Sequence, residues 1–312
     1  MAPGDSRLAT ELCGITLRNP VLAASGTFAY GLEFATQVRF DRIGGFVVKG
    51  LSREPMAGNP PPRVWEAERG MINSIGLQNI GVHAFVEEKL PQLAKLPCAV
   101  FANVFGYAVE DYVEVARVLE DHAGLAGYEL NVSCPNTKHG GIVFSSDPAL
   151  LAEVVAAVRA VAKRPLMVKL SPNVTRIQPL AKAAEDSGAD AISLVNTFVA
   201  LGIDARTRRP RLGAGFGGLS GPAIKPIALR LVYEAAHCVK IPVVGLGGIA
   251  SGEDAAEFML AGAQAVEVGT ASFWDPHAVE RIADELGRFC VEEKVAHVRE
   301  LSGALKLGES GT

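Results

Sequence analysis

Short apolar runs rich in β-branched residues recur along the chain, each ending abruptly in a small or polar residue. Most are followed by a segment of helical period. Eight runs stand out: Val21–Ala24, Phe46–Val48, Ala99–Ala102, Tyr128–Val132, Leu166–Leu170, Ala191–Val195, Val243–Gly247 and Ala265–Gly269. Between them the spacing predicts helices over Val109–Glu120, Pro148–Ala162, Ile177–Ser187, Ala223–Cys238, Glu253–Ala261 and Pro276–Cys290. Asp147–Pro148 and Asp275–Pro276 read as an N-cap followed by proline at the first helical position. Ser251, with Asp254 three residues on, marks another helix start. In Pro148–Ala162 the residues Leu150, Leu151, Val154, Val155, Val158 and Val161 form one stripe, leaving the other face to solvent.

Continuously apolar strands alternating with amphipathic helices imply a parallel sheet covered by helices. Eight such units in 312 residues favour a closed (β/α)8 TIM barrel over a doubly wound open sheet. The expected organisation is one domain over residues 1–312. Two connections exceed plain turns: Gly50 to Pro97, broken by Pro60-Pro61-Pro62, and Phe198 to Gly221, rich in Arg and Gly. Long ordered loops of this kind are usually functional.

In such a barrel the chemistry gathers where strands end, at the C-terminal face. The runs end in Ser25-Gly26, Lys49-Gly50, Asn103, Asn131 with Ser133-Cys134, Lys169 with Ser171, Asn196-Thr197, Gly247-Gly248 and Gly269-Thr270. Bare backbone N–H groups after strands 7 and 8, with the helix that Ser251 opens, suit a phosphate, although the same glycines also suit tight turns. Lys49 and Lys169 can neutralise a carboxylate, a phosphate or an electron-rich ring, or simply snorkel to solvent. The amides of Asn73, Asn103, Asn131 and Asn196 match a flat ligand with alternating N–H and C=O groups, such as a cyclic imide; singly, each also suits a turn. Cys134 lies between a strand end and a Gly-rich loop, near Lys138 and His139 in sequence, which fits a thiol acting as acid or base as well as a buried inert one.

Composition narrows the partners. A formal charge of −4 and 20 aromatic residues argue against a nucleic-acid surface. No stretch approaches the roughly 20 apolar residues of a membrane span, and the first ten residues lack a signal pattern, so a cytoplasmic protein is expected. The five cysteines have no C-x-x-C spacing and the six histidines are scattered, so neither a metal site nor a disulfide framework is expected. Two glycine patterns loosely fit a dinucleotide fingerprint. One, Gly213-Ala-Gly-Phe-Gly-Gly218, follows Arg208-Arg-Pro-Arg211 rather than a strand; the other, Gly245-Leu-Gly-Gly-Ile-Ala250, follows the seventh strand of a series. NAD binding by this chain itself is therefore not expected.

Taken together, Asn19-Pro-Val-Leu-Ala-Ala-Ser-Gly26, Met71-Ile-Asn-Ser-Ile-Gly-Leu-Gln-Asn79, Glu129-Leu-Asn-Val-Ser-Cys-Pro-Asn136, Val168-Lys-Leu-Ser-Pro172, Leu219-Ser-Gly-Pro-Ala-Ile-Lys-Pro226 and Gly245-Leu-Gly-Gly-Ile249 make the chain resemble dihydroorotate dehydrogenase over nearly its whole length. The resemblance implies an FMN-binding barrel that oxidises dihydroorotate to orotate in pyrimidine biosynthesis. In that family Cys at the position of Cys134 marks the soluble class 1 enzymes. Only about twenty residues precede the first strand, too few for the quinone-binding extension of class 2. The segments Ala24-Ser-Gly-Thr-Phe-Ala-Tyr-Gly31 and Ala102-Asn-Val-Phe-Gly-Tyr-Ala-Val-Glu-Asp-Tyr-Val-Glu-Val-Ala116, with Gly76-Leu-Gln-Asn79, look like class 1B. That class implies a homodimer core within a heterotetramer, whose partner subunit carries FAD and an iron–sulfur cluster and passes electrons to NAD.

Carried over residue by residue, the resemblance gives FMN the residues Ser25, Lys49, Gly50, Asn103, Asn131, Lys169, Val195, Gly221, Gly247, Gly248, Gly269 and Thr270. It gives orotate Lys49, Asn73, Ser74, Ile75, Gly76, Leu77, Asn131, Asn196 and Thr197, and it makes Cys134 the base. Lys49-Gly-Leu-Ser52 departs from the Thr-rich run of relatives, which puts a hydroxyl contact there in doubt, not the lysine. Three other activities share parts of this pattern: the fumarate-reducing class 1A enzyme, a flavin barrel reducing uracil-like bases, and a non-redox sugar-phosphate aldolase or isomerase.

Overall fold

The structure is a computed structural model and describes residues 6–133, 135–136 and 142–308. Eight parallel strands close into a barrel in sequence order: β1 (Val21–Ala23), β2 (Gly45–Val47), β3 (Ala99–Val104), β4 (Gly127–Asn131), β5 (Leu166–Lys169), β6 (Ala191–Leu194), β7 (Val243–Leu246) and β8 (Ala265–Val268). The chain is a (β/α)8 TIM barrel. Helices α1 (Val109–Glu120), α2 (Pro148–Arg159), α3 (Gln178–Asp186), α4 (Lys225–Ala236), α5 (Gly252–Leu260) and α6 (Ala278–Glu292) follow strands β3 to β8. Between β2 and β3 the cover is a broken helical stretch over 82–93, and between β1 and β2 there are only 3-10 turns. There the aromatic rings of Phe28, Phe34, Phe40 and Phe46 supply the missing apolar surface, Phe28 stacking on Phe34 at 4.4 Å.

Outward strand residues such as Val21, Val100, Val168 and Ile192 meet the helices, including the α2 stripe Leu151, Val154, Val155 and Val158, all buried. Leu150 and Val161 of the predicted stripe are only half-buried at its edge. Inward residues Leu22, Val47, Phe101, Met167, Ala191, Val244 and Ala265 form a separate apolar layer. That layer is closed at the N-terminal end by Leu12 and Leu17 of a hairpin, Thr10–Leu12 with Ile15–Leu17, which the hydrophobic pattern alone did not reveal. Its two-residue loop, Cys13 at φ 52° and Gly14 at φ 78°, is the left-handed pair that hairpin twist requires. Burying two leucines at about 1.5–3 kcal/mol each outweighs the roughly 1–2 kcal/mol of left-handed strain at Cys13.

The two long connections fold together into one four-stranded antiparallel sheet, ordered Phe198–Leu201, Phe216–Ser220, Gly70–Asn73 and Val64–Ala67. Asp147 caps α2 as expected, accepting from Ala149 N at 2.7 Å. Asp275 does not cap α6. That helix begins at Ala278, while Asp275 accepts from His277 N at 3.0 Å and pairs with Arg281 at 2.9 Å. With its side chain committed there, the 276–277 segment stays a turn.

Candidate active site

Side chains alternate along a strand, so the residue two positions beyond the apolar layer also points inward. At that level the lining turns polar: Asn103 follows Phe101, Glu129 follows Gly127, Lys169 follows Met167, Ser193 follows Ala191 and Glu267 follows Ala265. All five are buried. Glu129 accepts from Asn103 Nδ2 at 2.6 Å, Ser193 Oγ at 2.8 Å and Ser25 Oγ at 3.3 Å. Lys169 Nζ donates to Ser25 Oγ at 3.3 Å and lies 3.6 Å from Glu129 and 3.5 Å from Glu267. Burial alone pushes the Lys169 ammonium toward neutrality, but the two carboxyls outweigh it and hold its titration above the ordinary lysine range. Burial likewise opposes charge on Glu129, yet Lys169 and the surrounding donors hold it below the usual range. Glu267 is pushed well above that range, first by burial and then by the charge of Glu129.

At the mouth, Lys49 is half-buried and its backbone N–H donates to Ala29 O at 2.7 Å. Burial, then the nearby Arg63, lowers its titration; Glu33 acts the other way but is paired with Lys89 at 3.5 Å. Gly50 lies so close to Asn103 that a Cβ would sit 2.9 Å from its Oδ1. Asn196 Nδ2 donates to Asn131 Oδ1 at 3.2 Å and Ser133 Oγ at 3.0 Å, while its Oδ1 accepts from Thr197 N at 2.7 Å. Asn73, in the antiparallel sheet, donates to Gly218 O at 3.3 Å. Beyond it Ser74 Oγ is buried with no partner among the described residues, and Gly76 and Leu77 turn the chain through φ 73° and 55°. Ile75 is fixed through its carbonyl, which accepts from Asn59 N at 2.9 Å.

Val195 is buried after β6, its N–H on Leu246 O at 2.8 Å. Gly221 and Gly248, both left-handed, meet where a Cβ on Gly248 would lie 2.9 Å from Gly221 O. Gly247 is left-handed beside them, and Thr270 Oγ1 donates to Ser220 Oγ at 2.7 Å. Outside the strand ladders, the backbone N–H groups of Gly247, Gly248, Gly269 and Thr270 donate to no acceptor among the described residues. The α5 N-terminus corrects one expectation. Its N–H groups at Ala250 and Ser251 are taken by Asp254 and that at Gly252 by Glu285, at 2.8–2.9 Å, so the strand-end glycines hold the free donors.

The structure thus gathers half-buried Ser25 with buried Asn103 and Lys169 in one group, Asn131, Asn196 and Thr197 in a second, and Gly221, Gly247 and Gly248 in a third. Cys134 lies outside the described residues. Glu129, Ser193 and Glu267 were missed by sequence reasoning, although a Glu inside an apolar strand, as in Tyr128-Glu-Leu130 and Val266-Glu-Val268, is a signal that could have found the two acids.

The dihydroorotate dehydrogenase family model matches residues 7–290, a span that takes in every barrel strand. The chain belongs to the dihydroorotate dehydrogenase family. A Solibacter usitatus protein with the provisional name dihydroorotate dehydrogenase A (fumarate) is 73% identical over 300 residues, covering 96% of this chain and 99% of that one. Proteins of Geobacter metallireducens and Geobacter sulfurreducens, both named dihydroorotate dehydrogenase B (NAD(+)), catalytic subunit, are each 54% identical over 96% of this chain and 98% of their own. Dihydroorotate dehydrogenases are flavin-dependent oxidoreductases of pyrimidine biosynthesis, and the mouth fits a flavin. A Cβ built on Gly269 meets nothing closer than 3.6 Å and one on Gly26 nothing within 4 Å, so the rim is open, with backbone donors beside it and Lys169 beneath. Among the described residues no helix is long and apolar enough to cross a membrane.

Proposed function

We propose that the chain, as one FMN-binding barrel domain over residues 1–312, oxidises (S)-dihydroorotate to orotate in the cytoplasm. The observation that carries this reading is Lys49, a half-buried ammonium at a strand end whose influencing carboxylate, Glu33, is already paired with Lys89. Such a cation favours an anionic ligand. FMN, when bound, would take the hydride from C6 of dihydroorotate and pass its electrons on. Gly221, Gly247, Gly248, Gly269 and Thr270 would hold its phosphate, and Ser25, Lys49, Gly50, Asn103, Asn131, Lys169 and Val195 its ring and chain. Lys49 meets the orotate carboxylate, and the 73–77 turn with Asn131, Asn196 and Thr197 meets the ring amides. The Cys134 thiolate removes the C5 proton, and that C–H pair becomes the C5–C6 double bond.

For the acceptor we favour NAD, reached through a partner subunit with FAD and an iron–sulfur cluster, around a homodimer core in a heterotetramer. The segments read as class 1B and the relatives named as catalytic subunits support it. The 73% identical relative named for fumarate favours a second reading, direct fumarate reduction. Adding dihydroorotate anaerobically to the purified chain tests the reaction: bleaching of a bound flavin supports it, whereas a colourless chain, or uracil turnover without need of a carboxylate, overturns it. Fumarate reduction by the chain alone selects the second acceptor. NAD reduction that appears only with the partner selects the first.

A further inference from the structure

Two carboxyls and one ammonium share a single buried cluster in the barrel, and the donors around them are unevenly divided. Glu129 has Asn103, Ser193 and Ser25 in addition to Lys169. Glu267 has Lys169 at 3.5 Å on Oε2, and its Oε1 is buried with no donor among the described residues. The carboxyls also lie within hydrogen-bonding reach of each other. With all three groups ionised the cluster would carry −1 in a place where both glutamate side chains are 0% exposed. Unpaired buried charge costs several kcal/mol, and two adjoining carboxylates do not both ionise readily.

We propose that Glu267 is a positioning residue that carries the one proton of this cluster and donates it to the Glu129 carboxylate, which makes the trio electrically neutral and leaves Lys169 fully charged at the floor of the mouth. The proton turns an acceptor without a donor into a donor with an acceptor. The titratable groups facing Glu267 are Glu129 on β4 and Lys169 on β5; Ser25, Asn103 and Ser193 complete the shell as neutral groups. Among the described carboxyls whose titration is displaced, Asp41, Glu120, Glu129, Glu185, Asp204, Asp254 and Asp275 all move down, and Glu267 alone moves up. The bearing on the flavin rests on the reading above. A neutral trio lets the Lys169 charge face electrons arriving at the flavin, whereas a trio at −1 would oppose them.

The test compares wild type with E267Q, whose amide keeps a donor toward Glu129 and an acceptor toward Lys169. Infrared difference spectra of the full chain as purified are recorded at neutral pH in H2O and D2O. The expected result is a protonated-carboxyl carbonyl band that shifts on deuteration in wild type and is absent from E267Q. In parallel, the reduced-to-oxidised ratio of the bound flavin at a fixed dye potential should differ by less than about threefold at neutral pH, because one neutral group replaces another. At alkaline pH, as Glu267 ionises, the wild-type ratio should fall below that of E267Q. No deuterium-sensitive band in wild type, a band that survives in E267Q, or a neutral-pH rise of threefold or more in E267Q overturns the proposal. If E267Q does not fold, the wild-type band near neutral pH decides. A colourless chain would sink the flavin reading yet leave the infrared result to stand or fall by itself.

Discussion

Replacing Lys49 with Met keeps most of the side chain's length and removes its charge. A substrate carboxylate about 4 Å from that ammonium would gain about 4 kcal/mol at an effective dielectric of about 20. Lys49 is only half-buried, so solvent screening cuts this to about 2 kcal/mol. At about 1.36 kcal/mol per tenfold, K49M should lose roughly 30-fold in kcat/KM for dihydroorotate. The assay is anaerobic flavin reduction with dihydroorotate and, separately, with its methyl ester. The variant should lose its 30-fold on the acid and almost nothing on the ester, since only the acid offers a charge. An equal loss on both substrates, or a loss below about threefold on the acid, would refute the carboxylate role. The pH dependence carries the same signature. Burial, then Arg63, depresses the Lys49 titration, so its charge is lost at lower pH than that of an ordinary lysine. KM for the acid should therefore rise on the alkaline side in wild type, and that arm should be missing from K49M.

Three further outcomes can be checked. Gly248→Ala forces a Cβ to 2.9 Å from Gly221 O at φ 89° and should cost about 2–4 kcal/mol, read as a fall in Tm and faster loss of flavin. Burial opposes charge on Asp254, but Lys225 at 2.5 Å and the Ala250 N–H hold its carboxyl low, so its contribution is present above the unfolded carboxylate pKa and fades as pH falls through the depressed one. Asp254→Asn should accordingly cost about 1–2 kcal/mol at pH 7 by urea denaturation, with the gap to wild type closing in acid; a gap independent of pH contradicts this. Cys134→Ser should move the activity optimum to higher pH, because a hydroxyl is a far weaker acid than a thiol, and an unchanged profile removes Cys134 as the base.

The barrel was legible because its strands are buried on both sides, so that each one is a run of apolar residues and its end is marked by the first polar one. That same rule blurred the interior. Asn131 and Lys169 are the last residues of their strands, as the runs imply, whereas Asn103 lies inside a strand that continues to Val104 although its apolar run stops at Ala102. Glu129 and Glu267 passed unremarked because one charged residue hardly alters a run whose neighbours are all apolar. The antiparallel sheet was hidden for a different reason. Its strands lie in two connections more than a hundred residues apart, half-exposed and rich in glycine, and only their mutual pairing makes them strands. The Cys13-Gly14 hairpin was likewise invisible, since three-residue strands leave no measurable period.

That sheet also sets how the rim can move. Asn73 is bonded across the ladder to Gly218, and Phe198, two residues beyond Asn196, is paired with Leu219 on the same strand. The two distant connections therefore form one cooperative hydrogen-bonded unit, which includes Asn73 and ends two residues beyond Asn196. The ladder amides of 70–73 and 216–220 should exchange with solvent together, at one rate set by the opening of the whole sheet, whereas the Asn196 N–H, bonded to Leu170 O at 3.1 Å, should follow the barrel.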